Sequence, residues 1–586
     1  MKLIRFALAC ALLTSGCLRQ LSDDKRSKNR DQQAAPCAPA LEAYTQNIEP
    51  IVEQRCIRCH VSGGGGAIAA AFQSGNAVWN MAVFSKLKNG DAEAIFKKAS
   101  NQESHGGGRQ LEDGELENLK AFFAAAAQCS GPLAGGPQAA LCDGKSLPRR
   151  VTLLSRLEYR NTVQAIAGVT VDVNIPAAAA LEDGNKNPRL AFSNDQKSRT
   201  IDSNLAFQIK QAAATIARDF APEKKAALGC STEPVSDACL NNLGTQVYRR
   251  PLTADETAEL KALGGFVNVV TYLFQAPDFL YRTELGNETS GNLMTSYEIA
   301  AALSYLLTAM PPDAELMQLA GQGALHTAAT RRAQAERLLK GTNGLSEPLQ
   351  NFLVEWLELG PSEMANKVGT YDGKAVFAEA RTFLNKVIQE DGSLETLLTK
   401  DEGGRLGILQ QRAFLASHSN NNSTSPVKIG KTVARNMLCL ALPPPPANAN
   451  NNLAETPNLK TTRAKLAMHT ANPACASCHV RIDPFGLAFE NFDQLGMSRT
   501  VENGEPVDTR VNIALGLSID KAYENSGELI QSLSQSRELA TCFDSFFQQY
   551  AYGTLSCEAQ SVTSGTSLRD YILNLISSDR FITRIP

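Results

Sequence analysis

The chain has 586 residues, which at about 150 residues per domain leaves room for roughly three to five domains. Its 57 basic and 60 acidic residues give a net charge of −3, and no basic run is interleaved with aromatic side chains. These features predict a multidomain globular protein and exclude nucleic acid as an expected partner.

The first residues, MKLIRFALACALLTSGC, have the pattern of an export signal: early positive charges, an apolar stretch and small residues ending at Cys17. The small residues before Cys17 resemble the lipobox at which bacterial lipoproteins are cleaved and lipidated, although Thr14 stands where that box prefers Leu. An ordinary cleaved signal is the alternative. Residues 18–35 are polar and predict a tether. No later segment approaches the roughly 18 continuous apolar residues of a membrane span. We therefore expect a lipid anchor in the periplasm or at the cell surface, and Leu18 after Cys17 favours the outer membrane.

Apolar residues recur at spacings of three and four nearly throughout, which predicts a mainly α fold. In EDGELENLKAFFAAAAQ this spacing joins Leu116, Leu119 and Phe122, with Asp113 as the expected N-cap. The same pattern predicts helices in residues 41–54, 254–276, 296–309, 374–390, 427–439 and 528–550.

Changes of composition indicate the boundaries. GPLAGGPQ, residues 131–138, separates a first unit from the rest of the chain. Further on, SNNNSTSP at 419–426 predicts a loop, and PPPPANANNN at 443–452 predicts an extended polyproline segment. These two segments delimit a C-terminal part.

One chemical motif, C-x-x-C-H, occurs twice, as Cys56-Ile-Arg-Cys59-His60 and as Cys475-Ala-Ser-Cys478-His479. On a helical turn, cysteines three residues apart share a face and can form thioethers to haem vinyl groups, while the next histidine can bind the iron. Zinc would need the two pairs to meet across more than 400 residues, and a redox dithiol would need a βαβ setting. Two copies behind an export signal therefore predict two covalently attached c-type haems.

The residue opposite each iron-binding histidine decides function, because a second strong ligand closes the iron whereas an open position admits peroxide or oxygen. For the first haem we expect His105, which precedes the last predicted helix of the unit, and Met81 is the rival. For the second haem the candidates are His418, which we favour because of its free loop, His469 and Met497. A histidine as near in sequence to His479 as His469 must wrap round the haem edge.

The charged residues that follow the second motif have two readings. They could bond haem propionates or a substrate, or they could fold the loop and cap helices. These residues are Arg481, Asp483, Glu490, Asp493 and Arg499.

Eight of the 14 cysteines remain after the signal, the lipidation site and the two motifs are subtracted. In an oxidising compartment this even number suggests disulfides. Sequence proximity favours Cys230 with Cys239 and Cys542 with Cys557, and Cys37 and Cys129 would bracket the first domain. Cys142 and Cys439 are then left over to pair with each other.

Several further segments carry a resemblance to a family. The stretches RVTLLSRLEYRNTVQAIAGV, VYRRPLTADE, APDFLYRTELG, GILQQRAFLASHSNNNSTSPVKIGKTVARNMLCLALPPPP, CASCHVRIDPFGLAFENFDQLG and LRDYILNLISSDRFITR occur in that order. In this order they resemble the planctomycete-type cytochrome c haem proteins, in which a cytochrome c module is followed by domains of unknown function. In that family the first module often has Met-Pro near its end, where this chain has His105 and three glycines, which favours bis-histidine ligation. His418 matches a His-Ser position of the family.

The resemblance implies a small three-helix cytochrome c domain followed by a large multi-module helical body with the second haem site. We expect a signal peptide with lipobox at 1–17, a tether at 18–35 and a cytochrome c-like domain at 36–131. The body would comprise a helical module at 140–225, central helical modules at 226–400, a module with the second motif at 401–505 and a C-terminal helical module at 506–586.

Together these observations predict an exported dihaem cytochrome that passes electrons between its haems and a redox partner protein in the envelope. Two alternatives stay open. A dihaem oxidoreductase of peroxidase or oxygenase type would leave the second iron open, and the large body, with room for a substrate pocket, favours it. An envelope scaffold would use haem only structurally.

Overall fold

The computed structural model divides the chain into two compact units, Met1–Leu141 and Cys142–Pro586, which we describe separately. The described residues are 38–56, 80–81, 83–84, 87, 91–103, 109–127, 147–175, 192–193, 201–341, 347–360, 364, 367–369, 371–440, 442, 458–471, 473–553 and 563–585. Several predictions lie outside these residues: the signal and tether with Cys17, the polyproline segment, Cys37, Cys59, His60, His105, Cys129, Cys142 and Cys557.

The first unit is helical where it is described. Its helices are Ala38–Asn47, Glu49–Ile51, the π-helix Val52–Cys56, Ala92–Ala99 and Glu115–Ala127. Tyr44, Phe84 and Phe122 form its aromatic core, in which the ring centroids of Tyr44 and Phe122 lie 5.6 Å apart, edge to face. Edge-to-face packing is the arrangement that the ring quadrupoles favour.

The last helix of this unit begins later than its sequence suggests. It starts at Glu115, so the prediction that Asp113 caps it is wrong. The Asp113 carboxylate instead accepts a hydrogen bond from Arg109, at 2.7 Å. Glu115 turns back to accept from the backbone N–H of Glu112, at 2.6 Å, and thereby satisfies a donor just before the helix.

The second unit is also mainly helical, which confirms the mainly α prediction. Its α-helices are Arg156–Ala167, Ser203–Asp219, Pro222–Ala227, Asp237–Tyr248, Ala254–Ala262, Phe266–Leu273, Pro277–Leu280, Ser296–Thr308, Ala314–Gly321, Ala328–Gly341, Glu347–Trp356, Gly373–Gln389, Leu394–Thr399, Arg412–Ser417, Pro426–Thr432, Thr462–Thr470, Pro473–His479, Asp483–Leu487, Ser526–Ser534, Arg537–Tyr552, Leu568–Ser577 and Asp579–Ile582. Short 3-10 turns lie at Glu288–Ser290, Ala324–His326 and Ile408–Gln410, and a π-helix at Val433–Met437. None of the helices in the described ranges is long and apolar enough to cross a membrane.

The strands of the second unit are short and form two-stranded pairs. The pairs are Leu147–Pro148 with Arg584–Ile585, Arg150–Leu153 with Tyr281–Glu284, Asp401–Glu402 with Arg405–Leu406, Val501–Glu502 with Glu505–Pro506, and Val511–Asn512 with Ala522–Tyr523. The first pair is parallel and joins the two ends of the unit, and the others are antiparallel.

A buried ion cluster fastens this junction. The Glu284 carboxylate accepts two hydrogen bonds of 2.8 Å from Arg150 and is also bound by Arg584. Burial opposes ionisation of Glu284, but the positive charges of Arg150 and Arg584 hold its pKa well below its usual range. The cluster therefore couples the strand Tyr281–Glu284 to both ends of the unit.

Two of the helices predicted in the second unit are each divided into two α-helices. Residues 254–276 form Ala254–Ala262 and Phe266–Leu273, because Gly264 has φ +86° and ends the first helix. Residues 528–550 are split at Ser536, whose side chain accepts from the backbone N–H of Leu539 and so starts a new helix.

The disulfides in the structure confirm one predicted cysteine pair and contradict others. Cys230 is bonded to Cys239, as sequence proximity predicts. Cys542 is bonded to Cys439, 103 residues away, so the predicted pairings of Cys542 with Cys557 and of Cys439 with Cys142 are both wrong. The reason is tertiary: the π-helix Val433–Met437, which precedes Cys439, packs against the helix that carries Cys542.

Candidate functional site

The second C-x-x-C-H motif lies on a short helix, Pro473–His479, which we call the motif helix. Cys475 and Cys478 are partly exposed and neither takes part in a disulfide. Their spacing of three residues puts both thiols on one face of the helix, as two thioether bonds to a single haem require.

His479 ends the motif helix and is held by Asp483. Its Nδ1 donates a hydrogen bond to Oδ1 of Asp483 at 2.8 Å, and the two side chains are only 15 % and 13 % exposed. A carboxylate can only accept this bond, so in the neutral form of His479 the proton is on Nδ1 and the lone pair is on Nε2. That is the tautomer a metal-binding histidine needs.

The helix Asp483–Leu487, which begins at Asp483, is held by close backbone packing. Gly486 lies against Pro426, where a Cβ would come within 2.5 Å of the carbonyl carbon. Gly430, in the helix Pro426–Thr432, lies as tightly against Ile482. Only glycine allows two backbones to come this near, so these two residues set the position of Asp483 relative to the body.

The ring nearest to His479 among the described residues is that of His469, at the end of the helix Thr462–Thr470. Their centroids are 5.1 Å apart with an interplanar angle of 65°. Two imidazoles on opposite faces of one metal ion, each with a metal–nitrogen bond of about 2 Å, would have centroids about 6 Å apart. His469 would have to move to share an iron with His479.

His418 follows the helix Arg412–Ser417 and is buried, with 4 % of its surface exposed. Its Nδ1 donates to the carbonyl oxygen of Phe414 at 2.7 Å, and its ring packs on the Phe414 ring at 4.4 Å between centroids. Burial lowers the pKa of His418 to about 4, although nearby Glu358 and the bond to Phe414 oppose the shift. The imidazole is therefore neutral near pH 7.

The other ring nitrogen of His418, Nε2, is buried and has no hydrogen-bond partner among the residues that the structure describes. A buried acceptor without a partner is costly, because it has lost its bonds to water. This atom is therefore suited to bind a group that the protein chain does not provide. The structure does not bring the His418 ring into contact with the His479 ring.

The charged residues after the motif mainly hold the local fold. Glu490 is 3 % exposed and accepts hydrogen bonds from Thr424 at 3.0 Å and from Arg499 at 2.9 Å. Burial raises the pKa of Glu490 to about 7, although Arg499 opposes the shift. Asp493 accepts from two backbone N–H groups of the following turn, one of which belongs to Met497. These contacts favour the fold-stabilising reading of both carboxylates.

Two apolar side chains next to the site are exposed. Met468, beside His469, is 43 % exposed, and Val480, beside His479, is 57 % exposed. Single exposed apolar residues are common on protein surfaces, but each of these two is next in sequence to a histidine of the site. The donor set, two thiols and one oriented imidazole with apolar neighbours, fits a covalently attached haem.

Of the first motif, only Cys56 lies in the described residues, at the end of the π-helix Val52–Cys56 and partly buried against the aromatic core. Met81, the rival ligand, is buried in the same core. No group of three or more His, Cys, Asp or Glu side chains comes together in the described ranges as a bare metal site would need.

Sequence reasoning included Asp483 among five charged residues but did not recognise its role. The available signal was its spacing, because a residue four places after a histidine can face it across a turn. In His418, Nδ1 bonds the carbonyl oxygen of Phe414, which is also four residues away but precedes the histidine.

Comparison with protein families matches two adjacent segments. Residues 294–404 match the model PSD4, described as a protein of unknown function (DUF1592), and residues 405–502 match PSCyt3, described as a protein of unknown function (DUF1588). The second match includes both His418 and the motif helix. Neither a curated protein nor a solved structure matches the chain. The chain therefore carries two of the planctomycete cytochrome c-associated domains of unknown function.

Proposed function

We propose that the protein is an exported dihaem c-type cytochrome that transfers electrons between two covalently attached haems at the cell envelope. The observation that carries the proposal is the pairing of His479 with Asp483 beside two unpaired thiols. This arrangement would leave Nε2 of His479 available to bind an iron, next to cysteines at the spacing that attachment to haem vinyl groups requires.

The second haem would be bound through Cys475 and Cys478, with His479 as one axial ligand. His418 is the proposed second ligand, because its Nε2 is neutral, buried and without a partner within the described ranges. His469 is the rival, since its ring already lies beside His479. A haem with two imidazole ligands supplies reversible one-electron transfer without an open position for substrate.

The first haem would be bound through Cys56 and Cys59, with His60 and His105 as axial ligands. Lipidation at Cys17 would keep the protein at the membrane surface, most simply the outer membrane, facing the periplasm or the exterior. The partner is then a redox protein of the envelope.

The chain itself contributes orientation and exclusion of water. Asp483 holds the proton on Nδ1 of His479, and the carbonyl of Phe414 does the same for His418. Burial of both imidazoles limits the rearrangement of solvent that accompanies a change of iron charge.

The test is spectroscopic and uses the mature protein produced with covalent haem attachment. The haem content and the electron paramagnetic resonance spectrum of the oxidised protein would be measured, together with absorption after addition of carbon monoxide or peroxide. We expect two low-spin haems that do not respond to either ligand. A high-spin second haem that binds peroxide would contradict the electron-transfer proposal and support a dihaem oxidoreductase. Full function without haem would support an envelope scaffold instead.

The axial ligands are tested by single substitutions. We expect His418→Ala to make the second haem high-spin and His105→Ala to do so for the first. His326→Ala is the matched control, because His326 bonds only backbone carbonyl oxygens, those of Gly323 and Met294. If His469→Ala changes the spectrum and His418→Ala does not, His469 is the ligand.

A further inference from the structure

We infer that Asp483 is a positioning residue that sets the electron donation of His479 to the second iron and so lowers the reduction potential of that haem. The inference rests on the proposed function and goes beyond it, because it assigns to one residue outside the C-x-x-C-H motif the control of the iron at the second site.

The first step is the geometry of the pair. Nδ1 of His479 and Oδ1 of Asp483 are 2.8 Å apart, and both side chains are largely shielded from water. At this distance the hydrogen bond is a charge-assisted one, stronger than a bond to a neutral carbonyl. The bond fixes both the tautomer and the ring orientation of His479.

The second step concerns the charge of the carboxylate. Within the described ranges, Asp483 has no arginine or lysine partner, and His479 is the residue with which its side chain pairs. By contrast, Glu490 shares its charge with Arg499. The negative charge of Asp483 is therefore not neutralised by a neighbouring cation and acts on the imidazole.

The third step is the effect on iron. A carboxylate that accepts the Nδ1 proton makes the imidazole a stronger base at Nε2. A more basic ligand stabilises ferric iron relative to ferrous iron, so the one-electron reduction becomes less favourable. The proton stays on Nδ1 in both oxidation states, and the only exchange with the redox partner is one electron.

The local fold is built to keep this pair together. Asp483 is the first residue of its helix and is followed by Pro484, whose fixed φ suits the first turn. His479 is the last residue of the motif helix, and the backbone N–H of Ile482 bonds back to its carbonyl at 3.0 Å. The turn between the two helices thus brings the carboxylate onto the imidazole.

The experiment compares Asp483→Asn, Asp483→Glu and the control Asp237→Asn by spectroelectrochemical titration of the mature dihaem protein. Asparagine keeps an acceptor oxygen and nearly the same shape but removes the charge, and glutamate restores the charge. Asp237 is an exposed residue at the start of the helix Asp237–Tyr248, and its carboxylate pairs with Lys261. Its substitution therefore removes the same charge elsewhere in the unit. The double variant Cys475→Ala, Cys478→Ala, which cannot attach the second haem, identifies the midpoint that belongs to it.

We expect Asp483→Asn to raise the midpoint potential of the second haem by about 59 mV, which corresponds to an about tenfold change in the ferric–ferrous equilibrium constant for one electron. The midpoint of the first haem should not change. Asp483→Glu should bring the midpoint of the second haem back toward the parent value, and Asp237→Asn should leave it in place.

An unchanged midpoint in an Asp483→Asn protein that retains both haems would overturn the inference and leave the proposed function standing. A parent protein whose mass and haem content show no haem at the second motif would overturn both. These two results are separated by the haem count, which is measured before the titration.

Discussion

A single methyl group at Gly486 should separate the helix that carries Asp483 from the helix on which it packs. The Cβ of Gly486→Ala would lie 2.5 Å from the carbonyl carbon of Pro426, whereas ordinary contact begins at 3.4 Å. The backbones must therefore part by at least about 0.9 Å, because neither side offers a flexible side chain that could turn away.

The cost follows from this displacement. A gap of about 0.5–1 Å forfeits a quarter to a half of the dispersion energy across a contact, and overpacking of a rigid core costs about 1–3 kcal/mol. Since both contacting groups are backbone, we expect the upper end, a loss of about 3 kcal/mol in the free energy of unfolding. Gly430→Ala, which meets Ile482 across the same interface, should cost a similar amount.

The assay is urea denaturation followed by circular dichroism, with Gly565→Ala as the matched control. No atom lies within 4 Å of a Cβ at Gly565, so that change should be neutral or stabilise by up to about 1 kcal/mol. The double variant Gly430→Ala, Gly486→Ala should lose less than the sum of the two single losses, because one separation relieves both clashes. If Gly486→Ala is as stable as Gly565→Ala, the close packing of these helices is refuted.

Two further predictions concern stability. Replacing Cys439 and Cys542 by serine opens a loop of 103 residues and should lower the free energy of unfolding by about 4.7 kcal/mol, because the unfolded chain gains entropy. Replacing Cys230 and Cys239, which close a loop of nine residues, should lower it by about 2.6 kcal/mol. Denaturation of both variants checks this order, and a larger loss for the short loop contradicts it. Burial raises the pKa of Glu490 from its ordinary 4.5 to about 7, so the folded state keeps a proton that the unfolded chain releases, and stability should fall as pH rises through this range. Glu490→Gln should flatten that dependence in denaturation curves measured between about pH 4 and 8, while a change at the half-exposed Glu505, Glu505→Gln, should not. An unaltered slope in the first variant would refute the assignment to Glu490.

The pattern of apolar residues was sufficient to predict a helix where the contacts that determine the helix are close in sequence. The helix Ser296–Thr308 was predicted as 296–309, because apolar residues recur in its sequence at spacings of three and four, although the structure buries every residue from Ile299 to Leu307. The break near Ser536 was missed, because a serine inside an apolar pattern is also compatible with an uninterrupted helix. Whether such a segment forms one helix or two depends on whether the neighbouring helices can bury the apolar face of one straight helix or those of two inclined helices.

The candidate site divides in the same way. Cys475, Cys478 and His479 were proposed as haem-binding residues from spacing alone, and the structure shows that they lie on one short helix. The free Nε2 of His418 could not be predicted, since burial of a loop histidine depends on what the rest of the fold places over it. The pairing of Cys439 with Cys542 was likewise decided by helix packing over a distance that sequence proximity does not measure.

By itself, the sequence determined the helical class, the two C-x-x-C-H motifs and the disulfide between Cys230 and Cys239, all of which depend on residues within a few turns of one another. The tertiary structure alone decided that Asp483 faces His479 with no other described charge to share, and that His418 is buried with one nitrogen unpaired. The physical reason is that spacing determines which groups can meet along a helix, whereas burial and charge pairing depend on every element that packs around them.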